Sequence, residues 1–250
     1  MKSLHICFHR IYESEKIDDV SYGQLWISVW RFKLIIKCIQ SLGYEFVRPD
    51  DSRFRGNEKI ATVSFDDGYI DNAIVLSKVA DELRIPIGIF VSTGYLLRDT
   101  FPTPTDLKVE SIDKDKVGGI LLTPLDLEKL SRFIWIGSHG HQHLRPVNFR
   151  SVQDFRDDLK KSLEILNCVV EPSQLVSAYA IPYGDDYSFE TIHFDVARDV
   201  GFTSVFSCCF RFPVLGVFPR LGFNEKSILF WLFPLRLLGL SNFLKRQLAG

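Results

Sequence analysis

The chain has 250 residues, a formal net charge of −1 and 46 % hydrophobic residues. This length and composition suit one α/β domain with a sizeable core, and the near-neutral charge argues against a nucleic-acid-binding protein that depends on a basic surface. The five cysteines are scattered without metal-site spacing, which favours free thiols in a reducing compartment.

The N-terminal residues and the hydropathy pattern predict a cytoplasmic protein. His5, His9 and Arg10 interrupt the first apolar run before it could form a signal peptide. No window of about 18 apolar residues is present, so no segment is predicted to span a membrane. A peripheral location at the inner face of the membrane is a second interpretation, which depends on the C-terminal tail.

Strand and helix patterns alternate along the chain. The predicted strands are 4–8, 44–47, 60–65, 87–91, 133–136, 175–181 and 203–207. The predicted helices are 21–42 with Ser21 as its cap, 70–83, a helix opened by Thr123 and Pro124, 151–166, and 188–200. Residues 98–119 are predicted to form a lid-like loop. This alternation predicts a mostly parallel sheet, and about seven strands in one domain favour a barrel over an open sheet.

A pair of carboxylates marks the end of the third predicted strand. Asp66 and Asp67 are followed by Gly68, which leads into a helical stretch. Adjacent residues leaving a strand point in different directions, so one carboxylate could bind a metal while the other moves a proton. The alternative is an ordinary turn in which an Asp caps the helix and Gly takes positive φ.

Three of the six histidines fall within residues 139–143. His139 and His143 are four residues apart, so in a helical turn they would share a face and chelate one ion, with His141 directed away. An Asp and two His leave coordination positions open, as in catalytic metal sites. The residue types therefore favour a metal site over three unrelated histidines.

The segment Pro182-Tyr183-Gly184 follows the sixth predicted strand. Pro182 cannot donate a hydrogen bond, so the backbone N–H of Tyr183 is the next donor, and Gly184 permits close approach. This suits an oxyanion site, although the same three residues alone are typical of a simple turn.

Taken in order, the three segments resemble the motifs of polysaccharide deacetylases, the NodB-homology or carbohydrate esterase 4 family. The resemblance extends from about Leu4 to Leu221. It implies a distorted (β/α) barrel that removes acetyl groups from sugars with a divalent metal, often zinc. The roles that it implies are general base for Asp66, metal ligands for Asp67, His139 and His143, and oxyanion donor for the Tyr183 N–H.

The sequence departs from the family pattern in three places. Ala180 stands where the family has an Arg that holds the base, and Arg220 is the candidate replacement. The Trp-containing fourth motif and the C-terminal Leu-x-His motif are not recognisable. One branch of the family looks as if it takes its general acid from an N-terminal segment similar to residues 7–10, so His9 is the candidate acid. The alternative is that His9 is a structural histidine of the core at the end of the strand.

The chain is predicted to divide into the barrel, residues 1–222, and an apolar and basic tail, residues 223–250. The tail could be a helix packed on the barrel or an interfacial segment that contacts a membrane surface. The expected activity is removal of N-acetyl rather than O-acetyl groups from a polysaccharide or a lipid-linked precursor. The alternatives are a catalytically impaired carbohydrate-binding relative and an amidohydrolase of a small non-sugar amide.

Overall fold

A computed structural model gives the fold and describes residues 3–13, 25–55, 59–107, 111, 113–210 and 216–223. The described residues form eleven short strands. The strands are β1 (Ser3–Phe8), β2 (Arg10–Tyr12), β3 (Trp26–Ser28), β4 (Glu45–Phe46), β5 (Ile60–Asp67), β6 (Ile87–Val91), β7 (Ile134–Ser138), β8 (Leu175–Ala180), β9 (Ser204–Ser207), β10 (Val217–Pro219) and β11 (Leu221–Gly222).

The main sheet curves into a barrel of parallel strands in the order β10-β9-β8-β7-β6-β5-β1-β11. Only Arg220 separates β10, which pairs with β9, from β11, which pairs with β1. This single stretch therefore acts as one strand that joins the two ends of the sheet. The predicted barrel of about seven parallel strands is confirmed. Beside it, β4 pairs with β5, and β2 and β3 form a separate two-stranded sheet.

Helices connect the strands. They are α1 (Val29–Ser41), α2 (Ser77–Leu83), α3 (Thr93–Leu97), α4 (Pro104–Leu107), α5 (Lys114–Gly119), α6 (Pro124–Leu127), α7 (Val152–Val169) and α8 (Thr191–Val200). Thr123 and Ser151 precede α6 and α7 and act as their caps, as predicted. The interior is tightly filled: a Cβ on Gly137 would lie 2.6 Å from the Phe90 ring, so only glycine fits beside this aromatic residue.

Three predicted helices differ in detail from the structure. The predicted helix over 70–83 includes a π-helical turn at Asn72–Leu76, directly after the Asp pair, before it continues as α2. The last helix begins at Thr191 rather than at 188. The first begins at Val29, and its predicted cap Ser21 lies outside the described residues.

The predicted lid-like loop over 98–119 is wrong as a description of the whole segment, because it contains α4 and α5. Arg98 organises this segment by donating hydrogen bonds to four backbone carbonyls, those of Tyr95, Gly118, Leu121 and Leu122. A charged side chain thus satisfies the carbonyls at the ends of two short helices. The charge and proline content of the segment gives no signal for these two helices or for the Arg98 hydrogen bonds.

Within the part of the chain that the structure describes, no helix is long and apolar enough to cross a membrane. Of the predicted tail, only Phe223 falls in the described part, so a packed helix or an interfacial segment at 224–250 stays a prediction.

Candidate active site

The carboxyl ends of the parallel strands meet at one end of the barrel and form a cavity of about 380 Å³. In α/β folds this end of the sheet is where ligands bind. All seven predicted site residues line this cavity: His9, Asp66, Asp67, His139, His143, Tyr183 and Arg220. Residues separated by more than 200 positions in sequence therefore share one site because their strands are neighbours in the barrel.

A buried group of three side chains could hold a metal ion. The Oδ1 atom of Asp67 lies 3.3 Å from His139 Nε2 and 3.1 Å from His143 Nε2. One ligand atom from each residue lies within 4.8 Å of the others. Two imidazole nitrogens and one carboxylate oxygen are a donor set that suits Zn²⁺ and related divalent ions and leaves positions open.

Neighbouring groups prepare these three residues as ligands. His139 Nδ1 donates a hydrogen bond to the Ala180 carbonyl at 2.8 Å, which fixes its tautomer and leaves Nε2 free to bind an ion. Burial disfavours ionisation of Asp67, but the charge of His143 and the hydrogen bonds of both histidines outweigh it and hold the pKa of Asp67 well below its ordinary value. The chemistry of the site therefore fits a bound cation.

The two histidines converge through a bent loop and not through the helical turn that their spacing would allow. Gly140 has φ +77° and His143 has φ +55°, which are left-handed values that no α-helix contains. The buried Asp158 of α7 holds the bend by accepting hydrogen bonds from the N–H groups of His141 and Gln142, both at 2.9 Å. Tertiary contacts rather than helical periodicity bring the ligands together.

His141 is directed away from the Asp67–His139–His143 group, as predicted. Its Nδ1 atom lies 3.1 Å from the Thr93 hydroxyl, and its Nε2 atom lies 3.4 Å from a carboxylate oxygen of Asp99.

Asp66 and Arg220 form a buried pair with two parallel hydrogen bonds, each 2.7 Å long. Arg220 is only 1 % exposed and also donates to the Ser64 hydroxyl at 3.0 Å. Burial disfavours ionisation of Asp66, but the charges of Arg220 and His139 and the Arg220 hydrogen bonds hold the pKa of Asp66 below its ordinary value. The structure thus pairs Asp66 with Arg220, the arginine named as candidate partner in the sequence analysis.

Tyr183 lies at the centre of a tight turn beside the Asp67–His139–His143 group. Gly184 N–H donates to the Pro182 carbonyl at 2.8 Å across this residue, and Tyr183 has φ +64°. Such a γ-turn with positive φ at its centre is rare and strained. The Tyr183 ring centroid lies 5.2 Å from that of His143. Backbone strain of this kind concentrates at functional sites.

Residues that follow β5 form hydrogen bonds with the backbone and side chains around His9. The Asn72 side chain donates to the His9 carbonyl at 3.2 Å. The buried Asp71 carboxylate accepts from Arg10 Nε at 2.9 Å and from the Ile11 N–H at 2.8 Å. The imidazole of His9 therefore projects from a fixed position at the end of β1.

The sequence prediction missed several cavity residues. Arg145 Nη1 donates to both oxygens of Asp185, at 2.6 and 2.7 Å, and Asp106 comes from α4. The thiols of Cys7 and Cys208 also line the cavity, with 3.9 Å between the sulfurs. Arg145 follows the histidine cluster closely and Asp185 follows Gly184 directly, but no spacing in the sequence signals that they pair.

Comparison with known proteins agrees with this geometry. The family model described as polysaccharide deacetylase matches residues 54–205. No curated protein matches the chain.

Solved structures with the same fold have low sequence identity to this chain. The Streptococcus pyogenes deacetylase PplD, in complex with acetate, has 15 % identity and a TM-score of 0.68, over 96 % of this chain and 97 % of that one. IcaB from Ammonifex degensii has 17 % identity and a TM-score of 0.66, over 94 % and 96 %. A de-N-acetylase from Aggregatibacter actinomycetemcomitans has 16 % identity and a TM-score of 0.67, over 90 % and 96 %.

Proposed function

The chain belongs to the polysaccharide deacetylase family, and we propose that it is a metal-dependent hydrolase that removes N-acetyl groups from a carbohydrate. One observation carries the proposal: the buried Asp67–His139–His143 group and the Asp66–Arg220 pair share a single cavity. A cation site beside an ionised carboxylate can hydrolyse an acetyl group, with the ion polarising the carbonyl and the carboxylate accepting a proton from water.

Asp67, His139 and His143 would hold the metal. A bound divalent ion supplies Lewis-acid polarisation of the acetyl carbonyl and makes water more acidic. Zinc fits the two nitrogen donors and the carboxylate, and we propose it as the resident ion.

Asp66 is the proposed general base. The fork of Arg220 fixes the plane of the carboxylate, and the lowered pKa keeps Asp66 ionised at neutral pH. Asp66 would accept the proton of the attacking water. The same pairing lowers its basicity, so its orientation matters more than its proton affinity.

Tyr183 and His9 are the proposed groups for the developing oxyanion and the leaving group. The Tyr183 backbone N–H would donate to the oxyanion, because the strained turn has already fixed its position. His9, which lines the same cavity, would protonate the leaving amine.

The substrate proposal is an N-acetylated sugar of a polysaccharide or lipid-linked precursor. The neighbour from Aggregatibacter actinomycetemcomitans is described as a de-N-acetylase, which supports N- over O-deacetylation. The five free cysteines support the proposed reducing, cytoplasmic location. The Arg220–Asp66 pair supports an active enzyme over an impaired relative, because the base retains an arginine partner.

The test is to measure metal content and acetate release from N-acetylated sugar oligomers for the wild type and His139→Ala. About one equivalent of metal per chain and acetate release, both lost in the variant, would support the proposal. Metal without acetate release from any acetylated sugar would favour the small-amide hydrolase or the binding-only relative. A metal-free wild type would overturn the assignment of the ligands.

A further inference from the structure

The side chain of Tyr183 is held on two sides by residues that no step of the proposed reaction uses. Its hydroxyl donates to Asp106 Oδ1 at 2.5 Å. On its other side, the guanidinium carbon of Arg145 lies 4.2 Å from the ring centroid. Tyr183 nevertheless remains 39 % exposed, so these two contacts restrain a ring that packs on the protein over only part of its surface.

Both contacts are themselves anchored. The second oxygen of Asp106 accepts from the N–H and the hydroxyl of Thr103, both at 2.7 Å, at the start of α4. Arg145 is fixed by Asp185 and by the Ser188 hydroxyl at 2.7 Å. The ring therefore lies between two anchored charged groups, one from the 98–107 segment and one from the loop after His143.

The turn at Tyr183 needs such support. A glycine would adopt φ +64° without strain. The Cβ of a tyrosine causes steric strain in this left-handed region. The presence of a bulky residue here indicates that its side chain is used, because nothing in the backbone requires a side chain at this position. Contacts to the ring can offset the strain and select this conformation.

We propose that Asp106 and Arg145 are positioning residues: they clamp the Tyr183 ring and thereby hold the backbone turn on which the oxyanion contact depends. The inference rests on the proposed function, since it names what supports the oxyanion donor. Asp106 and Arg145 would act only through the Tyr183 side chain and would not contact the reacting atoms. A displacement of the donor by about 1 Å is enough to lower the rate by up to about a hundredfold.

The kinetic test is a double-mutant cycle with Asp106→Ala and Tyr183→Phe. Each single change breaks the same hydrogen bond, so we expect each to lower kcat on the order of tenfold, with KM and metal content unchanged. The double variant should lose no more activity than either single variant. Losses that multiply would overturn the proposal. Arg145→Lys, which keeps the charge but not the planar fork, should give a smaller loss than Arg145→Ala.

Two matched controls separate clamping from folding of α4. Thr103→Val removes one hydrogen bond to Asp106 but leaves the Oδ1 contact with Tyr183, and Asp115→Asn changes an exposed carboxylate on α5. Asp115→Asn should retain the wild-type kcat, and Thr103→Val, in which the backbone N–H at position 103 still holds Asp106, should lose less than Asp106→Ala. A loss in Thr103→Val as large as in Asp106→Ala would show that the order of α4, rather than the clamp, matters.

A structural readout tests the clamp without reference to activity. The chain has eight tyrosines, so selective ¹⁵N-tyrosine labelling gives few amide signals, and Tyr183→Phe identifies the relevant one. This signal should shift or broaden in Asp106→Ala and move less in Thr103→Val, which keeps the backbone hydrogen bond to Asp106. An unmoved signal in Asp106→Ala would overturn the clamp. If the wild type releases no acetate, the proposed function fails while this readout still decides on the clamp.

Discussion

Arg220 donates hydrogen bonds to both carboxylate oxygens of Asp66, each at 2.7 Å. Arg220 lies between the short strands β10 and β11, more than 150 residues after Asp66 in the sequence. The pair is buried, so neither charge is stabilised by water, and each depends on the other. The stretch that closes the barrel thus also supplies the partner of the proposed base. Barrel closure and the charge state of the site are coupled through one residue.

Replacing Arg220 should destabilise the protein strongly, because it leaves a buried carboxylate without a partner. We expect Arg220→Met to lower the free energy of unfolding by about 3–5 kcal/mol in urea titrations. In an Asp66→Asn background the same change should cost clearly less, since no unpaired charge remains. Arg198→Met, which removes an exposed pair with Asp195, is the control and should cost less than about 1 kcal/mol. Equal losses in both backgrounds would contradict the coupling.

Replacing Asp66 by Asn should separate catalysis from metal binding. The amide cannot accept the proton of the attacking water, so kcat should fall by about 10²- to 10⁴-fold while the metal content stays at the wild-type level. Asp67→Ala should instead lose the metal. Kinetics with N-acetylated sugar oligomers and metal analysis of the same preparations check both statements. Loss of metal in Asp66→Asn would mean that the two Asp roles are wrongly assigned.

Metal binding should stabilise the folded protein, because the three ligands converge only in the native barrel. At a free Zn²⁺ concentration of about 100 times Kd, linkage predicts about 2.7 kcal/mol of added stability. Thermal unfolding with and without a chelator measures it. His139→Ala should abolish the difference, whereas His141→Ala should retain it, since His141 contacts Thr93 and lies apart from the three ligands. If a chelator still lowers the stability of His139→Ala as it does that of His141→Ala, the ion binds at a site other than the three proposed ligands.

The sequence predicted the strand ends well because their signals are local. Continuous apolar runs such as Ile87–Val91 mark buried parallel strands, and charged or histidine residues directly after them mark the functional end of the barrel. Asp66, Asp67 and His139 lie in or just beyond β5 and β7 as a result. Their positions at strand ends, together with the resemblance to polysaccharide deacetylases, therefore predicted that they share one site.

The loop conformations could not be predicted because tertiary contacts determine them. The spacing of His139 and His143 is typical of a helical turn, but Asp158 on α7 captures the intervening N–H groups and bends the loop instead. The Asp106 contact with Tyr183 joins residues 77 positions apart. No periodic pattern encodes such pairs, so a single sequence gives no signal for them.

Replacing His9 should affect substrates according to their leaving groups. An amine or sugar alkoxide must be protonated as it departs, whereas an aryl alcohol leaves without help because its conjugate base is already stable. We therefore expect His9→Gln to lower kcat for an N-acetylated sugar by about 10²-fold or more, and to change hydrolysis of an aryl acetate only slightly. Metal content should not change, since His9 is not among the three proposed ligands. Asn72→Ala, which loosens the His9 backbone, should show the same substrate dependence in weaker form. An equal loss for both substrates would assign His9 to the structure of the cavity, and the general acid would have to be sought among its other residues.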